Sequence, residues 1–217
     1  MKQELFKRIL SSIILIPLTF FFIIKGSYLF NFFLIIFLLI TLYEWHNMSK
    51  KKNFYIFGII FIIFSFICIY NLRHDFDKGY IYVLLIVIVC VSTDIGGYTF
   101  GRIFKGPKLT KISPKKTYSG MIGAYLLTLF SVYLILNTSL LNIILVSTLD
   151  LLVFVLIIST VSQLGDLVIS YFKRLSKIKD TGNIIPGHGG ILDRIDGMIF
   201  AFPFSYFIFL TKTIEIF

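Results

Sequence analysis

Between Ser170 and Asp196 the chain reads SYFKRLSKIKDTGNIIPGHGGILDRID, and acids, bases and a histidine are mixed there within one short stretch. Lys173, Arg174, Lys177, Lys179 and Arg194 alternate with Asp180, Asp193 and Asp196, and His188 sits inside Pro-Gly-His-Gly-Gly. Cations and carboxylates mixed around flexible glycines suit a site that holds phosphates and a divalent metal. Asp193 and Asp196 are spaced i, i+3, which on a helix puts them on one face. They fall in the first turns after Gly189-Gly190, where the helix dipole favours negative charge. With Asp166 from the preceding helix they form a compact oxygen set for Mg²⁺. The competing reading is a salt-bridge network with Arg174 and Arg194. No second His lies at ligand spacing from His188, so this is not a transition-metal pattern. A donor to a phosphate or substrate oxygen, or a structural residue, are the two readings for His188.

The same chemistry continues upstream. Asp94, in STDIGGY near the end of an apolar helix, is expected about one turn inside the cytoplasmic boundary, where a carboxylate is costly unless it is paired, metal-bound or reaching water. The loop from Gly101 to Gly120 carries Arg102, Lys105, Lys108, Lys111, Lys115 and Lys116 and no acid. Within it, ISPKKT suits an ordered turn that aims Lys115 and Lys116 at a polyphosphate, although basic loops also follow from membrane topology alone.

These residues must be positioned by helices. Of 217 residues, 57% are hydrophobic and only 15% charged, which excludes an ordinary soluble domain and implies an all-α polytopic membrane protein. Seven apolar segments are expected, near 7–24, 27–44, 54–71, 80–100, 119–136, 148–172 and 191–211. With the N-terminus in the cytoplasm, 17 of the 21 Lys and Arg fall in inside loops, and only Lys25, Arg73, Lys78 and Lys212 fall outside. The net charge of +10 therefore marks a cytoplasmic face near anionic lipid, not a nucleic-acid binder. The basic N-terminus before an apolar run reads as an uncleaved first helix, since no small-residue cleavage site follows. Cys68 and Cys90 lie in apolar segments and read as buried small residues. Residues 1–78 read as transmembrane scaffold, with Trp45 as an interfacial anchor and His46 as structural. Residues 79–217 read as the catalytic region, with two basic cytoplasmic loops.

Taken together, Ser170–Asp196, the D-x-G-x-Y-x-x-G-R stretch from Asp94 to Arg102, the I-S-P-K-K-T block and Gly165-Asp166-Leu167 resemble the phosphatidate cytidylyltransferase (CDP-diacylglycerol synthase) family over roughly residues 90–206. Two positions depart from the family pattern: Ser119-Gly120 stands where Glu-Gly is common, and Ile169 where an acid often precedes the motif serine. The chain is also short for the family, by an N-terminal helix or two. The resemblance implies that CTP and phosphatidate give CDP-diacylglycerol and pyrophosphate in the bacterial inner membrane, with the site on the cytoplasmic face and a homodimer among the assemblies it allows. It implies Asp166, Asp193 and Asp196 on Mg²⁺, with K⁺ as a second cation to consider. Lys115, Lys116, Arg102, Lys173, Arg174 and Arg194 would hold phosphates, and Asp94 would orient the nucleotide or join the metal site. The nearest rival is a CTP-dependent polyprenol or phytol kinase. A CDP-alcohol phosphotransferase lacks its D-G-x-x-A-R opening here. A transporter would carry mid-membrane helix breaks and repeat symmetry, and no repeat is visible.

Overall fold

The computed structural model describes residues 17–110, 113–136, 148–184 and 189–211. Among these residues the chain is all-α, with one isolated antiparallel bridge between Lys108 and Thr117. Helix α1 is described over 17–25, followed by α2 (Ser27–Ser49), α3 (Tyr55–His74), α4 (Gly79–Phe104), α5 (Tyr118–Leu136), α6 (Thr148–Leu175), α7 (Leu192–Ile195) and α8 (Met198–Thr211). Five of these, α2 to α6, are long and apolar enough to cross a bilayer, and on that measure the chain is an integral membrane protein. Their outward faces carry exposed Phe32, Ile35 and Leu39 on α2 and Ile122, Leu126 and Phe130 on α5, as a lipid-facing surface should.

The expected seventh span is not one helix. The run from 191 divides into the four-residue α7, a turn at Asp196-Gly197, and α8. With 14 residues, α8 is about 21 Å long, short of the ~20 residues a span needs. The break has a local cause: the Asp196 Oδ1 accepts the N–H of Gly197 at 2.9 Å, while the Gly197 carbonyl begins α8 by accepting from Phe200 and Ala201.

Helix α4 is the most buried of the five and touches α3, α5, α6 and α8. Its tightest partner is α5, because Gly96 backs onto the Gly123 carbonyl and Gly120 onto the Gly97 carbonyl, and a Cβ at Gly96 or Gly120 would overlap backbone. One turn along, the buried Thr93 hydroxyl donates to Ser159 Oγ at 2.8 Å and lies 3.1 Å from Thr128 Oγ1, which ties α4 to both α5 and α6. Helix α8 docks on α3 through its own defect. Pro203 has no N–H to offer the Ile199 carbonyl, and the buried Ser65 hydroxyl supplies a donor at 2.6 Å instead. Trp45 is not an interfacial anchor. It is 2% exposed, donates Nε1–H to the Tyr55 carbonyl at 3.0 Å and meets Phe172 of α6 edge-on. Gly58 lets it lie against α3, since a Cβ there would enter the indole ring.

Candidate active site

Helix α6 ends in a Schellman arrangement. The Ile178 N–H reaches the Lys173 carbonyl and the Lys177 N–H the Arg174 carbonyl, both at 3.0 Å, with Lys177 left-handed at φ 58°. This reversal sends the chain back across the helix as a strap, residues 178–184, toward the start of α7. Lys173, in the last turns of α6, therefore comes within side-chain reach of α7.

Lys173 is the hub between them. It is 8% exposed, and its ammonium lies 2.9 Å from Asp193 Oδ1 and 3.9 Å from Asp196 Oδ2. The i, i+3 spacing thus does bring both carboxylates to one side. Their environments differ. The second oxygen of Asp193 accepts the backbone N–H groups of Thr181 at 2.8 Å and Gly190 at 3.1 Å. Burial alone would raise the Asp193 pKa, but the Lys173 hydrogen bond and charge and those two amides outweigh it, so the carboxyl stays below its ordinary range. Asp196 is pushed well above that range, first by burial and then by the charges of Asp166 and Asp94, against weaker help from Lys173 and the Gly197 amide.

Asp166 on α6 pairs with Lys116 at 2.6 Å. That lysine is delivered by the loop after α4, which is pinned as a small hairpin: the Leu109 N–H binds the Lys116 carbonyl at 2.8 Å, and the Tyr118 N–H binds the Pro107 carbonyl at 3.2 Å. Asp166 lies nine residues before the end of α6 and Asp94 ten before the end of α4, about 14 and 15 Å of helix. Asp94 is thus nearly three turns from its helix end. Asp94, Asp166 and Asp196 act on one another electrostatically. Among the described residues no three His, Cys, Asp or Glu side chains stand close enough to hold a metal by themselves.

A cavity of about 500 Å³ opens beside this cluster. Asp94, Arg194, Ser92 and Thr19 supply its polar side chains, and Phe30, Phe33, Phe37, Phe66 and Phe202 are among the residues of its apolar wall.

Other expected site residues sit apart. Arg174 is exposed and donates to the Ile178 carbonyl at 3.0 Å, bracing the end of α6. Arg102 is exposed on α4 and donates to Tyr98 Oη at 3.0 Å, and Lys115 is exposed on the hairpin. His188 falls outside the described residues.

One residue was missed by the sequence reading. Glu44, near the end of α2, is 1% exposed and its carboxylate accepts the N–H of Ile191 at 2.9 Å, the N–H of Leu192 at 2.8 Å and the Thr181 hydroxyl at 3.0 Å. The available signal was the one acid of the otherwise apolar α2, which demands a partner once buried.

Residues 51–211 match the cytidylyltransferase family. The chain belongs to that family. It is 36% identical over 211 residues to the phosphatidate cytidylyltransferase of Rickettsia felis, covering 95% of this chain and 93% of that one. The phosphatidate cytidylyltransferase of Bacillus subtilis is 43% identical over 122 residues, 56% of this chain and 44% of that one, and that of Haemophilus influenzae is 42% identical over 131 residues, 58% and 45% respectively. The family match takes in Asp94, Lys116, Asp166, Lys173, Asp193 and Asp196, and it begins after Glu44.

Proposed function

We infer that this cytidylyltransferase transfers the cytidylyl group of CTP to phosphatidate, releasing pyrophosphate and leaving CDP-diacylglycerol in the membrane. The observation that carries the lipid half of this reading is the cavity. Its apolar wall suits an acyl chain, and it ends at Asp94 and Arg194, beside the cluster of Asp166, Asp196, Lys116 and Lys173. A lipid lying in it would present its phosphate to Arg194 and to the charged cluster while its chain stays out of water. The relatives named phosphatidate cytidylyltransferase support the same substrates.

The reaction joins two anions. A phosphate oxygen of phosphatidate forms a bond to the α-phosphorus of CTP, the bond to the bridging oxygen of the β-phosphate breaks, and its electron pair leaves with pyrophosphate. The attacking phosphate is already ionised, so no residue has to remove a proton. The protein's work is to bring like charges together and hold them in line. Lys173 and Lys116 are suited to this. Each ammonium is fixed by a carboxylate and buried or half-buried, so it is aimed before substrate arrives. Lys115, Arg102 and Arg194 extend the positive rim for the triphosphate, and Arg174 acts by bracing the end of α6.

The donors present fit Mg²⁺, which commonly takes one or two carboxylates and completes its shell with substrate phosphates and water. Asp166 and Asp196 are hard oxygen donors whose charges already act on each other, and they are the residues that would hold it. Asp193, engaged by Lys173 and two amides, would set the position of that pair's surroundings. Bound there, Mg²⁺ supplies charge neutralisation on the triphosphate and on the leaving pyrophosphate.

The orientation proposed is N-terminus inside, with the hairpin and strap at the cytoplasmic face of a bacterial inner membrane. It is supported by the positive-inside split and by the ends of α4 and α6 meeting at one site. The test is the purified protein in lipid vesicles with CTP labelled at the α-phosphate. Phosphatidate should yield labelled CDP-diacylglycerol and free pyrophosphate. A phosphorylated polyprenol with CDP as co-product would move the assignment to the kinase.

A further inference from the structure

We propose that Glu44 is a positioning residue for the reaction: it fastens the strap and the start of α7 onto α2 and so fixes where Asp193, Asp196 and Lys173 stand. This inference rests on the function proposed above for those residues. Three observations carry it. The carboxylate is almost fully buried and has three donors on the loop segments, all within 3.0 Å: the Thr181 hydroxyl and the N–H groups of Ile191 and Leu192. Asp193 binds the same segments from the other side, through the N–H groups of Thr181 and Gly190. Thr181 thus gives its hydroxyl to Glu44 and its amide to Asp193, and the strap is clamped between a carboxylate from α2 and one from α7. Finally, Gly190 and Gly182 lie against the Glu44 carboxylate so closely that a Cβ at Gly190 would overlap it, as well as Thr181 Oγ1, and one at Gly182 would stand 2.9 Å from Oε1. Two glycines of the motif-bearing segment are thereby explained by a residue from α2, in the half of the chain read as scaffold.

The donors that hold Glu44 are Thr181, Ile191 and Leu192, none of them expected to meet substrate phosphates, so its proposed role is positioning and not catalytic. Its effect passes through the strap. The discriminating substitution is Glu44→Gln, which keeps size but replaces one acceptor oxygen with an N–H₂ group. Because Oε1 and Oε2 each face a backbone donor, either amide orientation sets donor against donor. The readout is hydrogen exchange of peptides covering 178–184 and 189–195, measured beside kcat and KM for CTP. Glu44→Gln should speed exchange in those two peptides, leave α4 and α5 unchanged, and lower kcat at least ~10-fold, the scale of one lost hydrogen bond to a charge. If that variant is not recovered folded, Thr181→Val decides. It removes one donor and leaves both amides, and it should loosen 178–184 and lower kcat by a smaller factor. Unchanged exchange in the two peptides, or unchanged kcat in a variant whose strap has loosened, overturns the proposal. Loosening spread evenly through α2 and α3 overturns it too, since that is a general packing role. Failure of the wild-type protein to turn over CTP with phosphatidate would instead sink the functional reading, and the exchange result would stand apart from it.

Discussion

Asp193 and Asp196 are three residues apart and share Lys173, yet replacing each with Asn should move stability in opposite directions. Asp193 has an ammonium at 2.9 Å and two backbone donors, and its side chain is 5% exposed. Removing one partner of a buried pair costs about 3–5 kcal/mol. Asp196 remains 3.9 Å from Lys173, so the lower end applies, about 3 kcal/mol. For a chain of this size that is a fall of roughly 6–12 °C in Tm. Burial, Asp166 and Asp94 all disfavour a charge on Asp196, so a neutral amide there relieves the fold and should raise Tm when divalent metal is chelated. The pH dependence follows. The folded pKa of Asp193 is depressed, so its contribution is present above the unfolded value near ~3.9 and is lost as pH falls through the folded value. The folded pKa of Asp196 is raised, so its protonated form favours the fold, and that contribution is lost as pH rises from the unfolded value through the folded one. The assay is thermal unfolding of purified protein in chelator at pH 7, repeated with Mg²⁺ added, beside turnover. Saturating Mg²⁺ at ~100 Kd should stabilise wild type and Asp193→Asn by about 2.7 kcal/mol and leave Asp196→Asn unmoved. Turnover should fall at least ~10²-fold in Asp196→Asn. A chelated Asp196→Asn less stable than Asp193→Asn would refute the assignment of the two environments. Loss of the Mg²⁺ effect in Asp193→Asn but not in Asp196→Asn would exchange their roles.

Gly190→Ala should abolish turnover, because a Cβ there overlaps Glu44 and Thr181, whereas Gly97→Ala meets nothing closer than 3.9 Å and should remain active; expression and turnover of the two variants test this. Cysteines placed at Lys108 and Lys177 should resist an impermeant thiol reagent in sealed cells, and labelling of either from outside would reverse the orientation. Leu34→Trp adds bulk inside the apolar cavity; it should displace about two methylenes of lipid contact at ~0.8 kcal/mol each, raising KM for long-chain phosphatidate about tenfold and for short-chain phosphatidate far less. Equal effects on both lipids would place the chain elsewhere.

Composition and charge alone determined that this is an all-helical membrane protein, because a bilayer leaves the backbone few other ways to satisfy its hydrogen bonds. The motif spacing likewise placed Asp193 and Asp196 on one side, since i and i+3 meet on any helical turn, and both do reach Lys173. Local spacing could not tell them apart. Which carboxylate is held by donors and which is left against other carboxylates depends on the strap folding back from Lys177 and on where α4 and α6 lie beside it. The break at Gly197 escaped the hydropathy reading because hydropathy averaged over a span-length run does not register a local capping bond, here the Gly197 N–H held by Asp196 Oδ1. Glu44 was legible as an oddity and not as a part of the site. Its partners lie 137 to 148 residues away, and only the packing of α2 against α7 brings a buried carboxylate to backbone donors that no sequence pattern marks.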